Sequence, residues 1–321
     1  MIRLVLMIGI AGSGKSTIAK TLKETCDRVD GQQSIIVSSD AIRAEILGSE
    51  NDQTANDKVF AEVRKSINNN LSKRTVIVDA TNINIKNRRS ILEIGKKFPN
   101  VKKIAMVMTT PLEQAKAQNH SRDRVVPDWV LEKQAKQFEI PFYEEGFDEI
   151  NFVGWNYSAE DFKILPKEDW MTDKDVIFKL MKNFDQKTHH HKYTLDKHCR
   201  LCAEKVKELK PNDDVLYRAA IIHDIGKLFV GEPKDDGSGD YRYYGHHNYG
   251  AYSLLQNLDR IGFQDFDDML KVLFYVNYHM LPFFIDTEKA KKKWERIMGK
   301  DNLDTLFLFN KCDRYATGRE D

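Results

Sequence analysis

A glycine-rich run near the amino terminus carries the clearest chemical signal in the sequence. Residues 9–16 read Gly-Ile-Ala-Gly-Ser-Gly-Lys-Ser and fit the phosphate-binding pattern G-x-x-x-x-G-K-[ST]. Because the run lies between a predicted strand and a predicted helix, backbone N–H groups and the helix dipole would converge on phosphate oxygens. The residues expected to bind ATP or another nucleoside triphosphate are Gly9, Gly12, Ser13, Gly14, Lys15, Ser16 and Thr17. We expect Lys15 to reach the β- and γ-phosphates and Ser16 to bind Mg²⁺.

Charged residues follow the next two predicted strands. Asp40 and Arg43 stand one helical turn apart just beyond the second strand, and Asp79 ends the third. Because ligands of open parallel sheets bind beyond the carboxyl ends of the strands, all three are candidate catalytic residues. Asp40 could remove the proton of an attacking hydroxyl, or it could simply cap the next helix. Asp79 could bind a water molecule coordinated to Mg²⁺, orient Arg43, or be structural.

Two further cations, Arg122 and Arg124, lie between two helical patterns, where a hinge is expected. Such a loop could act as a lid whose arginines cover the β- and γ-phosphates and neutralise charge in the transition state. A solvated basic loop is the alternative. The pattern makes both arginines candidates and does not choose between them.

Histidine is unevenly distributed, since eight of the nine histidines follow residue 188. The candidate metal ligands in this half are His198, His223, Asp224, His246, His279 and Asp313. Nitrogen and oxygen donors without thiolates favour one or two divalent ions such as Mn, Fe, Co, Ni or Zn over a structural zinc site. A carboxylate that bridges two such ions could help them to activate water against a phosphoester. Further upstream, His189, His190 and Lys192 fit a solvated turn better than a phosphate site.

Composition restricts the location and the partners. The four cysteines are too few and too scattered for a disulfide framework, and Cys199 and Cys202 are expected to be ordinary thiols of a helix. A signal peptide and a membrane anchor are not apparent, so we expect a cytoplasmic protein with no membrane partner. The net charge of +1 argues against coating of nucleic acid by bulk electrostatics, so a nucleic-acid substrate would be held locally, at an end.

Hydrophobic periodicity changes near residue 173 and indicates a multi-domain chain. Before that point, strands predicted at 2–8, 34–39, 75–78, 103–108 and 150–153 alternate with helical patterns, which is typical of an α/β domain with a parallel sheet. Beyond it the pattern is helical and predicts an all-α domain. The predicted boundaries are 1–156 for the P-loop domain, 157–172 for a linker and 173–321 for the helical domain.

Over residues 1–150 the chain resembles the polynucleotide 5′-kinase family of phages and bacteria. The resemblance rests on G-S-G-K-S-T at 12–17, D-x-x-R at 40–43, D-A-T-N at 79–82 with Arg88 or Arg89 behind it, and R-x-R-V-V-P-D at 122–128 leading to F-E-x-P at 138–141. It implies that Asp40 is the general base and that Arg43 contacts the phosphate of the acceptor. It also implies that the lid arginines, with Arg122 and Arg124 both candidates, grip the phosphate donor.

The spacing H…HD…H…H…D over residues 180–321 resembles the HD phosphohydrolase superfamily. The resemblance implies a main metal site and a second site beside it, formed respectively by His198, His223, Asp224 and Asp313 and by His246 and His279. It favours His246 over His247, because His246 stands four residues before Gly250. It also implies that Lys227, in H-D-I-G-K, contacts the substrate phosphate.

The combination of the two modules resembles bacterial enzymes that heal nucleic-acid ends. It implies phosphorylation of 5′-hydroxyl ends of RNA or DNA with ATP and Mg²⁺, and metal-dependent removal of a 3′ or 2′,3′-cyclic phosphate, before sealing by a separate ligase. One alternative is a nucleoside or sugar kinase fused to an HD nucleotidase. Another is an ATP-sensing regulator whose HD unit degrades a signalling nucleotide. Arg43 and the lid favour an acceptor that bears a phosphate, and hence the first interpretation.

Overall fold

The Val- and Ile-rich runs of the amino-terminal half form a parallel sheet in the computed structural model, which describes residues 1–29, 31, 33–154, 165–189 and 191–318. The strands are β1 (Arg3–Ile8), β2 (Ser34–Ser38), β3 (Thr75–Asp79), β4 (Lys102–Met108) and β5 (Glu149–Val153). Their order is β2-β3-β1-β4-β5, and every neighbouring pair is parallel. This confirms the predicted α/β fold.

Helices follow the strands and bury the apolar side chains of the sheet. They are α1 (Lys15–Arg28), α2 (Ser39–Leu47), α3 (Asn56–Asn70), α4 (Ile85–Gly95), α5 (Leu112–His120) and α6 (Asp128–Ala135), and a short 3-10 helix spans Tyr143–Glu145. Val5, Ile77 and Ile104, from three adjacent strands, pack around Ala19 of α1. Helix α2 begins at Ser39, directly where β2 ends, and contains both Asp40 and Arg43.

A buried ion pair fastens α4 to the 3-10 helix. Arg88 Nε and Nη2 donate to the two carboxylate oxygens of Glu145 at 2.8 and 2.6 Å, and Arg88 Nη1 donates to the Asn82 carbonyl oxygen at 3.2 Å. Both charged side chains are fully buried. Removing one partner of such a pair leaves an uncompensated buried charge, so the pair fixes the loop that follows β3. Arg88 therefore supports the loop that follows β3.

The carboxyl-terminal half is helical, which confirms the predicted all-α character. Its helices are α7 (Val176–Met181), α8 (Leu195–Leu209), α9 (Asp214–Ile222), α10 (Lys227–Val230), α11 (His246–Leu255), α12 (Phe266–Tyr278), α13 (Glu288–Met298) and α14 (Lys300–Ala316). Short 3-10 helices span Lys167–Asp169, Leu258–Arg260 and Leu281–Phe284. None of the helices in the described ranges is both long enough and apolar enough to cross a membrane.

A small hairpin departs from the predicted helical pattern. Strands β6 (Glu232–Pro233) and β7 (Tyr241–Arg242) pair antiparallel inside the half of the chain that the sequence predicts to be all-α. Gly237 and Gly239, both with positive φ, form part of the turn between them. Two residues per strand are too few for the alternation of apolar and polar residues that identifies a strand.

The chain divides into two compact units. The sheet unit comprises Met1–Gln134 and Pro141–Trp155, and the helical unit comprises Ala135–Ile140 and Asn156–Asp321. The segment Ala135–Ile140 therefore belongs to the helical unit, although it lies inside the predicted 1–156 domain. Residues 157–164 of the predicted linker lie outside the described residues.

Asn277 of α12 holds the segment Ala135–Ile140 within the helical unit. Its Nδ2 donates to the Phe138 carbonyl oxygen at 3.0 Å, and its Oδ1 accepts from the Ile140 N–H at 2.9 Å. The hydroxyl of Tyr278 donates to the Ile140 carbonyl oxygen at 2.9 Å. These partners are 137 to 139 positions apart, so no local pattern could predict the contact.

Candidate active sites

The glycine-rich loop between β1 and α1 follows a path that favours glycine at two positions. Gly12 and Gly14 have φ of 75° and 86°, in the left-handed region that disfavours side chains. A Cβ atom at Gly12 would also lie 2.2 Å from the Ala115 carbonyl oxygen. The tight turn leaves Ser16 and Thr17 exposed in the first turn of α1, where phosphate and Mg²⁺ would be expected.

Two polar groups in this loop fit a bound phosphate chain. Lys15 is buried, and its Nζ donates to the Ile10 carbonyl oxygen at 2.7 Å. Desolvation lowers the pKa of Lys15 to about 8, although the charge of Asp79 opposes the change. The buried Oγ of Ser13 has no hydrogen-bond partner among the described residues. A triphosphate would provide a counter-charge for the ammonium group and an acceptor for the hydroxyl.

Backbone N–H groups connect the loop to two neighbouring segments. The Gly9 N–H donates to the Thr81 carbonyl oxygen at 3.0 Å, just beyond β3. The Ala11 N–H donates to Oε1 of Gln134 at 2.7 Å. Because Gln134 lies in α6, the helix that follows the predicted lid is bonded directly to the glycine-rich loop.

Asp40 lies in the first turn of α2 between two arginines. Its Oδ1 accepts from Nη1 of Arg43 at 2.5 Å, and its Oδ2 lies 2.8 Å from Nη1 of Arg124. Ser38 caps the helix instead of Asp40, since Ser38 Oγ accepts from the Ala41 N–H at 3.3 Å. The Asp40 side chain is 44% exposed, so the carboxylate is accessible to a substrate.

Asp79 at the end of β3 acts on the P-loop ammonium group. Its negative charge favours the protonated form of Lys15 and so opposes the fall in the pKa of that residue. Arg43 has other partners, because its Nη1 donates to Asp40 and its Nη2 donates to Asn56 Oδ1 at 3.1 Å. Asp79 thus acts electrostatically on Lys15, whereas Arg43 pairs with Asp40 and Asn56.

An asparagine bridges the two ends of the loop between α5 and α6, which is the predicted lid. Asn119 donates from Nδ2 to the Val126 carbonyl oxygen at 2.7 Å and accepts at Oδ1 from the Val126 N–H at 3.0 Å. Arg122, within the loop, is close enough to Lys15 for its charge to lower the pKa of that lysine. Arg124 reaches α2 instead. The two arginines therefore act on different residues of the candidate site, Arg122 on Lys15 and Arg124 on Asp40.

Four imidazoles in the helical unit are each held at Nδ1 by a backbone carbonyl oxygen. Each Nδ1 lies 2.8 to 3.1 Å from a backbone carbonyl oxygen, the pairs being His198 with Ala316, His223 with Ala220, His246 with Tyr243 and His279 with Val276. A carbonyl oxygen only accepts, so Nδ1 carries a proton and Nε2 is the atom available to a metal. The Nε2 atoms meet in pairs, at 3.3 Å for His198 and His223 and at 3.2 Å for His246 and His279.

Asp224 stands between these two imidazole pairs. Its Oδ2 lies 3.4 Å from Nε2 of both His198 and His223. Its Oδ1 lies 3.1 Å from Nε2 of His246 and 3.6 Å from Nε2 of His279. One carboxylate thus offers one oxygen to each pair.

Asp313 of α14 completes the cluster, with Oδ1 3.0 Å from Nε2 of His198 and 3.5 Å from Nε2 of His223. Ligand atoms lie within 4.8 Å of one another in three groups: His198, His223 and Asp224; His223, His279 and Asp313; and Asp224, His246 and His279. Two nitrogens bound at about 2.1 Å to one tetrahedral ion would be about 3.4 Å apart, which is close to the spacing of the imidazole pairs. The structure therefore brings all six candidate ligands together in an arrangement that fits divalent ions.

Charge is concentrated in this buried cluster. Burial opposes ionisation of Asp224 and Asp313. Lys227 and the imidazoles nevertheless hold the pKa of Asp224 well below its usual range, and His198 and His223 do the same for Asp313. Burial also favours the neutral ring of His198, but hydrogen bonds to the two carboxylates raise the pKa of that ring to about 9. Protons thus occupy positions that a metal ion would take, so metal uptake releases them.

Lys227 lies beside the cluster, and two of its partners were missed at the sequence level. Its Nζ lies 2.7 Å from Oδ2 of Asp224, donates to Gln186 Oε1 at 2.8 Å and lies 3.2 Å from Nε2 of His191. Burial and the charge of Lys227 lower the pKa of His191 to about 3, so the ring is neutral. His191 belongs to a run of three histidines that could have drawn attention to it, whereas Gln186 has no recognisable signal.

The remaining histidines and cysteines lie at the margin of the cluster. His246 faces Asp224, whereas neighbouring His247 belongs to none of the three ligand groups. His189 pairs with Asp240 near the hairpin and is largely exposed, Lys192 is exposed, and His190 lies outside the described residues. The cysteines in the described ranges are free and buried, with Cys199 and Cys202 both in α8.

Two family models match separate parts of the chain, one in each half. Residues 4–141 match the family model of an AAA domain, and residues 190–315 match that of the HD domain. No curated protein matches the sequence. Among solved structures, a gluconokinase from Sinorhizobium meliloti 1021 is 17% identical, with a TM-score of 0.34, and the match covers 48% of this chain and 84% of that one. The chain thus joins a kinase-like P-loop domain, which implies a nucleotide, to an HD domain, which implies a divalent metal.

Proposed function

We propose that the chain heals nucleic-acid ends. The sheet unit transfers the γ-phosphate of ATP to a 5′-hydroxyl end, and the helical unit removes a 3′ or 2′,3′-cyclic phosphate, which leaves ends for a separate ligase. The observation that carries the proposal is the position of Asp40 between Arg43 and Arg124, within electrostatic reach of Lys15. A polynucleotide end carries a phosphate beside its terminal hydroxyl. An arginine next to the general base Asp40, such as Arg43, could bind that phosphate.

The kinase step requires a base, a donor site and an acceptor site. The acceptor oxygen forms a bond to the γ-phosphorus while the bond from that phosphorus to the β–γ bridging oxygen breaks. The hydroxyl proton passes to Asp40, and ADP leaves with the electron pair of the broken bond. Mg²⁺, when bound with the nucleotide, neutralises charge on the β- and γ-phosphates. Ser16 and Asp79 would hold it or its water, and Arg43 would bind the acceptor phosphate.

Arg124 controls when Asp40 can act. While Nη1 of Arg124 lies 2.8 Å from Oδ2, both oxygens of Asp40 are engaged by guanidinium groups. Arg124 belongs to the lid, whereas Arg43 belongs to the same helix as Asp40. Phosphate is a more highly charged bidentate acceptor than a carboxylate, so a bound triphosphate would draw Arg124 away. Nucleotide binding would thereby release the Asp40 carboxylate from Arg124.

The helical unit has the residues for phosphoester hydrolysis. The residues that would hold one or two divalent ions are His198, His223, Asp224, His246, His279 and Asp313. Such ions supply an activated water and stabilise negative charge on the phosphoryl oxygens. The ammonium group of Lys227 lines the same cavity as Asp224 and would bind a further oxygen of the substrate phosphate.

An RNA with a 5′-hydroxyl and a 2′,3′-cyclic phosphate tests both activities in one preparation. Lys15→Ala is expected to abolish labelling from ATP that carries a γ-label and to leave removal of the terminal phosphate intact. Asp224→Ala is expected to do the reverse. Lys23→Ala, which changes a partly exposed lysine of the same helix as Lys15, is the matched control. A single substitution that silenced both activities would contradict independent sites.

Competition distinguishes the class of acceptor. A free nucleoside or sugar in excess should leave the labelling of oligonucleotide ends unchanged. If the small molecule is phosphorylated and the oligonucleotide is not, the chain is a small-molecule kinase and the end-healing proposal is wrong.

A further inference from the structure

The cavity beside the metal-ligand cluster has aromatic walls. Its volume is about 620 Å³, and its lining includes Asp224, His246 and Asp313. The aromatic side chains that line it are Tyr241, Tyr243, Tyr244 and Phe283. The tyrosines come from β7 and the residues that follow it, whereas Phe283 comes from the 3-10 helix that follows α12. Two separate segments therefore present rings to one cavity.

Two of these rings are open to solvent. Tyr244 is 78% exposed and Phe283 is 49% exposed. Tyr243 is held differently, since its hydroxyl donates to the Gln186 carbonyl oxygen at 2.6 Å and burial raises its pKa to about 12. Exposed aromatic rings beside a cavity with catalytic groups indicate a binding surface for a flat, partly apolar group.

The charged part of the lining favours a polyanion. Four cations, Lys227, Lys234, Arg242 and Arg314, line the cavity together with the two carboxylates of Asp224 and Asp313. The guanidinium carbon of Arg242 lies 6.0 Å from the centroid of the Tyr244 ring, so a cation and an exposed ring are side by side. Interleaved cations and aromatic rings bind single-stranded nucleic acid, with phosphates on the cations and bases stacked on the rings.

We propose that Tyr244 and Phe283 stack against the terminal bases of a single strand whose 3′-end phosphate lies at the metal-ligand cluster. The inference rests on the proposed function and narrows it: the substrate of the helical unit is an oligonucleotide end, not a mononucleotide or a sugar phosphate. Every base offers a π-face, so this surface accepts any sequence. A substrate without a base would gain nothing from the two rings.

Kinetics of the metal-loaded full chain on two substrates tests the inference. One is a trinucleotide that ends in a 3′-phosphate or a 2′,3′-cyclic phosphate, and the other is glycerol 2-phosphate, which has no ring. Tyr244→Ala and Phe283→Ala are each expected to raise KM for the trinucleotide by about tenfold, with kcat unchanged. Both should leave activity on glycerol 2-phosphate unchanged. Tyr244→Trp, which keeps an aromatic ring, should retain the low KM of the wild-type protein for the trinucleotide.

Phe284 provides a matched control. It is the next residue after Phe283, is 71% exposed and does not belong to the cavity lining, so Phe284→Ala should not change KM. Equal losses on both substrates, or an unchanged KM for the trinucleotide, would overturn the stacking inference and leave the proposed function standing. A wild-type protein that does not process the trinucleotide would refute the proposed function itself, and the inference with it.

Discussion

Replacement of Asp224 by asparagine tests whether this carboxylate is shared by two metal sites. Its Oδ1 faces His246 and His279, and its Oδ2 faces His198 and His223. The substitution keeps the size of the side chain but removes its charge and one ligand oxygen. Two of the three ligand groups contain Asp224, whereas one contains His246. Asp224→Asn should therefore abolish binding at both sites, and His246→Ala at one.

The expected size of the effect follows from linkage. At a metal concentration of about 100 times Kd, a site present only in the folded state adds about 2.7 kcal/mol to the free energy of unfolding. In a unit of about 150–250 residues, each kcal/mol raises Tm by about 2–4 °C, so one site raises Tm by about 5–11 °C. We expect the wild-type protein to show about twice that shift, His246→Ala to show the one-site shift and Asp224→Asn to show almost none.

Thermal unfolding with and without Mn²⁺, together with metal content by mass spectrometry, measures these differences. Comparing each variant with its own metal-free form removes any effect of the substitution on packing. Asp259→Asn, which changes an exposed aspartate outside the three ligand groups, controls for the loss of a charge. If Asp224→Asn retained as much of the metal-induced shift as His246→Ala, Asp224 would not be a shared ligand.

Three further predictions concern buried charges and amides. Nucleotide binding at about pH 9 should take up protons, because the pKa of Lys15 is about 8 in the free protein and bound phosphates would raise it. Calorimetry in buffers of different ionisation enthalpy measures this proton uptake. The uptake should vanish below about pH 7, where Lys15 is already protonated. Arg88→Met should lower the free energy of unfolding by about 3–5 kcal/mol, since Glu145 keeps a buried charge, and an unchanged urea midpoint would contradict this. Asn277→Leu removes three hydrogen bonds and should destabilise the helical unit more than Tyr278→Phe, whose lost bond is worth about 0.5–1.5 kcal/mol; equal urea midpoints would argue against the role of Asn277.

The parallel sheet could be predicted because its central strands β1 and β3 are buried on both faces and form continuous apolar runs. Helix α2 could not be separated from β2, because Ser39 begins the helix directly after Ser38 ends the strand. The place of the segment Ala135–Ile140 depends on hydrogen bonds to α12. Its sequence, Ala-Lys-Gln-Phe-Glu-Ile, is compatible with either unit.

The candidate metal ligands were visible in the sequence because histidines are concentrated after residue 188 and follow the spacing H…HD…H…H…D. Three of them stand at helix boundaries. His223 and His279 directly follow α9 and α12, and His246 opens α11. At these positions Nδ1 reaches a carbonyl oxygen three residues earlier, which is a local consequence of the turn. The contacts of Gln186 and His191 with Lys227 join residues 41 and 36 positions apart, so only the folded chain shows them.

The carboxylates of Asp40 in the sheet unit and Asp224 in the helical unit have similar local surroundings. Asp40 and Asp224 each have a cation three positions later, Arg43 and Lys227, which meets one oxygen across a single turn of the chain. Such partners follow from the spacing alone and can be predicted. The other oxygen of each carboxylate faces distant groups: Arg124 of the lid in one case, and imidazoles of α11 and of the end of α12 in the other. Under the proposed function, a displaced Arg124 would leave Asp40 able to accept a proton, whereas the imidazoles around Asp224 would leave it able to serve two metal sites. Since the local halves are alike, the tertiary fold decides which chemistry each carboxylate supports.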